Sequence, residues 1–349
     1  MDWLDYKSRF ISEAKRKKKS DNYCNKWLAY AEILYNRDIP IIYSQEHFCK
    51  LVGYSESYIY SVSNSSKFFY RHYQIPKKNG NKRDIYEPLP NLKDIQHWIL
   101  NNILYHIDVS PYAKAYVPGK NIKENVKFHK NQKIVLSLDV KDFYDNLSEW
   151  NVYKTFLMLG YSDSVSVMLS KICCLNGHLP QGAPTSAALS NILLKSFDFD
   201  VYDYCNRKKI RFTRYADDMT FSGDFDVIDL INFIKRRLKD EGLKLNSEKT
   251  RVRKQGQQQE VTGIIVNKKI QLAKDKRKDI RKNMYYISKY GLQSHLDYIG
   301  ENRKNYVNHL LGIVSYALFL NPKDKELEEY KKILTELLMC ENKSRFEND

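Results

Sequence analysis

The six cysteines of this 349-residue chain, Cys24, Cys49, Cys173, Cys174, Cys205 and Cys340, form no CxxC pair and no cluster with histidine. That usage excludes a disulfide framework and a structural zinc site, and it suits a reducing compartment. An apolar leader is also missing, because the opening MDWLDYKSRF is charged. The longest apolar run, LLGIVSYALFL at residues 310–320, is too short for a bilayer span, which needs about 20 residues. A cytoplasmic protein with no membrane partner is therefore expected. No internal repeat or low-complexity linker interrupts the chain, so its lobes should be continuous. Acidic residues are in deficit: 42 Asp and Glu stand against 58 Lys and Arg, a net charge of +16. Such an excess points to a polyanion, whose phosphates lysine and arginine neutralise with release of counterions. The bland alternative is a lysine-rich soluble protein.

Residues 1–65 carry helical apolar spacing, as in KWLAYAEILY, beside the basic cluster Lys15 to Lys19. YQIPKKNGNKRDIYEPLP holds turn signals around strand-like residues and predicts a hairpin. KIVLSLDV predicts a buried strand, and SEWNVYKTFLMLG a helix capped at Ser148 and stopped at Gly160. TSAALSNILLKSFDFDVYDYC predicts one longer helix. IRFTRYA and MTFSG predict two strands, and VIDLINFIKRRLKDEG an amphipathic helix. Beyond residue 264 the chain turns helical and basic. The middle is thus α+β, with strands near its acidic clusters.

Those clusters carry the chemistry. LSLDV ends in Asp139, and YADDM places Asp217 and Asp218 together at what should be a hairpin tip. Each alone could be turn chemistry. Together they would repel one another unless a cation lay among them, and carboxylate oxygens suit Mg2+. Two such ions can activate an attacking hydroxyl and stabilise a departing oxygen in phosphoryl transfer. HLPQGAPTSAALSN adds a rigid turn at Gln181 and Gly182 leading into a helix, where glycine permits close approach to a ligand.

In order, LDVKDFYDNL, LPQGAPTSAALSN, YADD, GLKLNSEKTRV and VTGIIVN resemble the successive motifs of reverse transcriptases, over about residues 75–267. Within that family VTGIIVN, together with NVKFH at residues 125–129, resembles elements of the bacterial retron enzymes, although Val126 stands where their pattern has alanine. The resemblance implies a right-hand polymerase fold: fingers at 66–130, palm at 131–267 including the second-motif fingers segment, a helical thumb at 268–349, and an N-terminal helical extension at 1–65. It implies RNA-directed DNA synthesis with two Mg2+ ions held by Asp139, Asp217, Asp218 and the Val140 carbonyl. Asp142 and Phe143 would offer backbone N–H groups to a dNTP triphosphate, and Tyr144 would exclude a ribose 2′-hydroxyl. Gln181 and Gly182 would line the nucleotide pocket, Arg83 and Lys78 would clamp the phosphates, and Lys249 would protonate the leaving pyrophosphate.

Asn125 and His129 lie four apart, and the resemblance implies contact with RNA; a satisfied structural histidine is the plain alternative. Lys276, Arg277, Lys278 and Arg281 would grip a duplex backbone. The implied partners are a structured non-coding RNA, the RNA–DNA hybrid made from it and an accessory effector protein. The implied product is a branched RNA–DNA molecule, msDNA, in anti-phage defence. Alternatives are a reverse transcriptase of another bacterial class (group II intron, diversity-generating or other defence type) or a catalytically idle RNA-binding module. An intron enzyme would be expected to extend past the thumb, and the chain ends at Asp349.

Overall fold

Serine caps start three of the N-terminal helices. In the computed structural model, which describes residues 2–77, 80–303 and 305–346, Ser20, Ser44 and Ser55 each accept a 3.2 Å hydrogen bond from the backbone N–H three residues on. They precede helices Asp21–Tyr35, Gln45–Val52 and Glu56–Asn64. Each of these helices has an acidic residue in its first turn, which complements the positive end of the helix dipole. Ser148 does the same for Glu149–Met158, as its sequence predicts.

The chain divides into two compact units built from discontinuous segments. The first comprises residues 1–120, 139–204 and 228–247. Its core gathers Phe48, Ile59, Ile95, Ile99, Phe156 and Phe197, none of which reaches solvent. The expected hairpin is present, with β1 (Tyr70–Pro76) antiparallel to β2 (Lys82–Pro88) and Tyr70 opposite Pro88. The long helix expected over residues 185–205 is instead two, Pro184–Leu193 and Lys195–Arg207, meeting at Leu194. Ser190 Oγ donates back to the Ala187 carbonyl at 2.8 Å, a competing bond of the kind that bends helices.

The second unit comprises residues 121–138, 205–227 and 248–349. Strands β3 (Ile134–Asp139), β4 (Arg211–Tyr215), β5 (Asp218–Gly223) and β6 (Arg251–Lys254) form one sheet in the order β4-β5-β3-β6; only the last residue of β3, Asp139, is counted with the first unit. A small sheet follows, from β7 (Glu260–Val261), β8 (Ile264–Ile265) and β9 (Gln271–Leu272). Helices Lys274–Tyr290, Leu292–Ile299, Tyr306–Leu320 and Lys325–Phe346 complete the unit. Val126, Val261, Ile264, Ile280, Met284, Leu310 and Val314 share one hydrophobic core. No helix among the described residues is long and apolar enough to cross a membrane.

Candidate active site

Tyr215 pairs with Asp218 across β4 and β5, which leaves Ala216 and Asp217 as a two-residue loop. Ala216 has φ +58, a conformation that glycine usually supplies in such hairpins. The turn is held from below: the fully buried Arg214 donates from Nη1 to the Ala216 carbonyl at 3.2 Å. Strand alternation sends Phe212 and Phe221 to one face of the hairpin, where their rings stack with centroids 5.1 Å apart. The opposite face carries Thr213, Thr220 and Ser222, and Asp218 shares it by register. Asp217 is half-buried and Asp218 exposed.

In the first unit, Asp139 is buried, and its carbonyl accepts from Asn246 N–H at 2.8 Å. Val140 bridges Leu245, and Lys141 N–H donates to the Lys244 carbonyl at 2.8 Å, so this stretch is braced by the 244–246 segment. The chain then turns sharply. Asp142 has φ +47, and its carbonyl accepts from Asn146 Nδ2 at 2.8 Å. Phe143 is buried, while Tyr144 is half-buried with its ring edge-on to Phe143, centroids 5.2 Å apart. Burial pushes the neighbouring Asp145 carboxyl above its ordinary pKa. His178 opposes the shift, and the charges of Asp142 and Asp84 reinforce it.

The Gln181–Gly182 loop joins β2. Tyr86 N–H donates to the Gln181 carbonyl at 2.8 Å. Gly182 sits at φ +123, and a Cβ there would lie 2.9 Å from the Tyr86 carbonyl oxygen. No other residue fits without moving one of the two strands of chain. Ser186 Oγ donates to the Pro180 carbonyl at 2.7 Å, which fixes the start of the following helix. Arg83 is exposed on β2, opposite Ile75. Lys78 lies outside the described residues. The first unit therefore gathers Asp139, Val140, Asp142, Phe143, Tyr144, Gln181, Gly182 and Arg83, and the second holds Asp217, Asp218 and Lys249. Lys249 is exposed at the end of the 3-10 turn Ser247–Lys249.

Carboxylates and a backbone carbonyl are the oxygen donors that Mg2+ prefers, so the residue types fit the ion. Among the described residues, however, no three His, Cys, Asp or Glu side chains are gathered closely enough to hold a metal.

Two groups of expected RNA contacts take a different place. Asn125 and His129 have no exposed surface. His129 Nε2 is 2.8 Å from Thr213 Oγ1, and Nδ1 is 2.8 Å from Ser222 Oγ. In the protein without RNA these side chains are enclosed, the arrangement that the structural alternative describes. The residues that enclose them, Thr213 and Ser222, were not singled out from sequence, because threonine and serine alternating in a strand read as a solvent face. Val126, the departure from the retron pattern, sits in the hydrophobic core, where its extra carbons are buried. Arg277 is ion-paired with Asp324 at 2.6 Å and Glu326 at 3.1 Å, and Arg281 with Glu326 at 2.6 Å. These two arginines tie helix Lys274–Tyr290 to the segment opening the last helix. Lys276 and Lys278 are exposed.

Residues 75–269, more than half of the chain, match the family described as reverse transcriptase (RNA-dependent DNA polymerase). Retron Ec86 reverse transcriptase of Escherichia coli is 29% identical over 89% of this chain and 93% of its own. Retron Mx65 reverse transcriptase of Myxococcus xanthus is 32% identical over 82% of this chain and 71% of its own. The chain belongs to the bacterial retron reverse transcriptases. A reverse transcriptase has the right-hand polymerase fold and is an RNA-directed DNA polymerase that depends on a divalent cation. RNA is accordingly its partner. A solved telomerase of Candida albicans overlaps 74% of this chain and 55% of its own at TM-score 0.41 and 13% identity. A likeness so remote adds nothing to the site.

Proposed function

We propose that this retron reverse transcriptase copies one cognate structured non-coding RNA, primed from a 2′-hydroxyl of that RNA, into a branched RNA–DNA molecule. The physiological setting is anti-phage defence alongside an accessory effector protein, in the cytoplasm. The observation that carries the polymerase reading is the Tyr215–Asp218 hairpin, with its two adjacent carboxylates on a braced turn in the same sheet as the strand that ends in Asp139.

Asp139, Asp217, Asp218 and the Val140 carbonyl are the residues that would hold two Mg2+ ions. When bound, such ions stabilise the attacking and leaving oxygens of an in-line displacement. The primer hydroxyl attacks the α-phosphorus of the dNTP, a new P–O bond forms, and the bond to the bridging oxygen breaks to release pyrophosphate. The backbone N–H groups of Asp142 and Phe143, with the cations Arg83 and Lys78, orient the triphosphate. Gln181 and Gly182 wall the nucleotide pocket, with Gly182 letting the backbone approach where a Cβ would collide. Tyr144 fills the volume a 2′-hydroxyl needs. Lys249 donates a proton to the departing pyrophosphate. In this scheme the right hand divides into an extension at 1–65, fingers at 66–130, palm at 131–267 and thumb at 268–349, with Lys276 and Lys278 on the duplex backbone.

RNA duplexes offer shape, phosphates and 2′-hydroxyls more readily than base edges. Recognition should therefore rest on stem geometry and a few unpaired bases. The test is co-expression of the gene with its upstream intergenic region, followed by denaturing gels of the nucleic acid bound to the purified protein. A short DNA whose mobility changes after RNase and again after a debranching enzyme is expected, and it should vanish with Asp217→Asn. DNA with an ordinary 5′ end, or synthesis without the cognate RNA, would overturn the branched-product assignment.

A further inference from the structure

The buried polar chain beneath the Asp217–Asp218 hairpin has a direction. Thr213 Oγ1 donates its single proton to Asn125 Oδ1 at 2.6 Å. Toward His129 Nε2, 2.8 Å away, it can then only accept, so Nε2 carries a ring proton. Nδ1 hydrogen-bonds with the Ser222 hydroxyl at 2.8 Å. Asn125 Nδ2 donates onward to Thr262 Oγ1, at a longer 3.4 Å. Thr262 occupies the turn between β7 and β8 at φ +46, a backbone conformation that β-branched residues rarely adopt.

The imidazole thus spans the hairpin. Thr213 belongs to β4 and Ser222 to β5, on the face that Asp218 shares. Arg211 Nη1 also donates to the Phe128 carbonyl at 2.7 Å, so the 122–129 segment grips β4 at a second point. On the far face the Phe212–Phe221 stack closes the pair. The loop at the tip contains Ala216 at φ +58. A turn of that kind persists only where its surroundings over-determine it.

We propose that His129 is a positioning residue for the Asp217–Asp218 turn. Its ring, held with a proton on Nε2 by Asn125 through Thr213, sets the relative position of β4 and β5 and with it the aim of the two carboxylates. Asn125 and His129, four residues apart in sequence, act as one device against the β4–β5 hairpin. The assignment rests on Asp217 and Asp218 being ion ligands. Misplacing a reacting group by about 1 Å can cost about 100-fold in rate, so a loosened hairpin should show in turnover before it shows in binding.

Thr213→Val, Ser222→Ala and His129→Ala are the perturbations, with Thr213→Ser as the conservative rescue. Synthesis is measured on oligo(dT)-primed poly(rA), which needs no cognate RNA. Mn2+ affinity is read by electron paramagnetic resonance, cognate-RNA affinity by gel shift, and melting by circular dichroism. The expected result for Thr213→Val and Ser222→Ala is a kcat lower by about 10- to 100-fold and weaker Mn2+ binding. KM for dTTP and RNA affinity should be unchanged, and Thr213→Ser should restore kcat. Nitrogen-15 spectra of the wild type should show the His129 ring protonated at Nε2. Variants that melt earlier yet keep wild-type kcat and Mn2+ affinity when folded would reduce the network to packing. Weaker RNA binding with unchanged kcat on poly(rA) would restore the RNA-contact assignment. Asp217→Asn is the separate control: if it binds Mn2+ and synthesises DNA normally, the ligand assignment itself fails.

Discussion

Replacing Gly182 by alanine tests the proposed nucleotide pocket. Gly182 lies at φ +123, and an added Cβ would stand 2.9 Å from the Tyr86 carbonyl oxygen and 3.0 Å from Ile85 Cγ2. The backbone conformation alone costs a residue with a Cβ about 1–3 kcal/mol. The contact adds a second cost, because backbone oxygen cannot swing aside as a side chain would. Relieving it requires β2 to part from the loop, breaking the 2.8 Å bond from Tyr86 N–H to the Gln181 carbonyl, worth about 0.5–1.5 kcal/mol. The sum is about 1.5–4.5 kcal/mol. Gly177→Ala isolates the first cost, since Gly177 has φ +84 and open space where its Cβ would be. Urea unfolding of the two variants should place Gly182→Ala below Gly177→Ala by roughly the contribution of the lost bond. Displacement of Gln181 should also lower kcat/KM for dNTP about tenfold or more, while Gly177→Ala leaves it intact. Equal stability of the two variants with wild-type kcat/KM in both would refute the close-approach account.

Tyr144→Ala should cut discrimination between dNTP and rNTP at least about tenfold, or about 1.4 kcal/mol, read as a ratio of kcat/KM values; an unchanged ratio makes Tyr144 a packing residue. Lys276→Gln with Lys278→Gln should weaken nucleic-acid binding and flatten its salt dependence by about 0.7–0.9 per lost contact in the log–log slope. Arg277→Gln should instead lower stability by about 1.5–3 kcal/mol, since its guanidinium is held by Asp324 and Glu326; a changed salt slope at constant stability would contradict this division. The bonds from Arg281, helped by those from Tyr330 and Arg277 against the effect of burial, hold the Glu326 carboxyl down at about 2. Because the folded value is the lower one, that stabilisation is complete above the ordinary 4.5 and is lost as pH falls from there toward about 2. Glu326→Gln should flatten the stability profile over that window, and a profile identical to the wild type would refute the ion-pair assignment.

Local chemistry written in consecutive residues was legible from sequence. The hairpin at 70–88, the strand ending in Asp139, the Ser148 cap and the 211–223 hairpin all follow from side-chain alternation and capping, which neighbours along the chain decide, although the loop of the latter is Ala216–Asp217 and Asp218 already belongs to β5. The order and spacing of the motifs pointed to the reverse transcriptase family in the same way. What sequence could not reveal was which polar side chains turn inward. Asn125 and His129 look like exposed contacts until Thr213 and Ser222, some 90 residues away, close over them. Arg277 and Arg281 likewise find their acidic partners, Asp324 and Glu326, 47 and 45 residues further along the chain. The split at Leu194 hides in a sequence of good helix formers. A hydrogen bond or ion pair between distant segments leaves no period or spacing in the chain, because its partner is chosen by the packing of whole elements. The sequence determined the strands, caps and carboxylates; the tertiary structure alone decided which polar groups are buried against one another and which stay exposed.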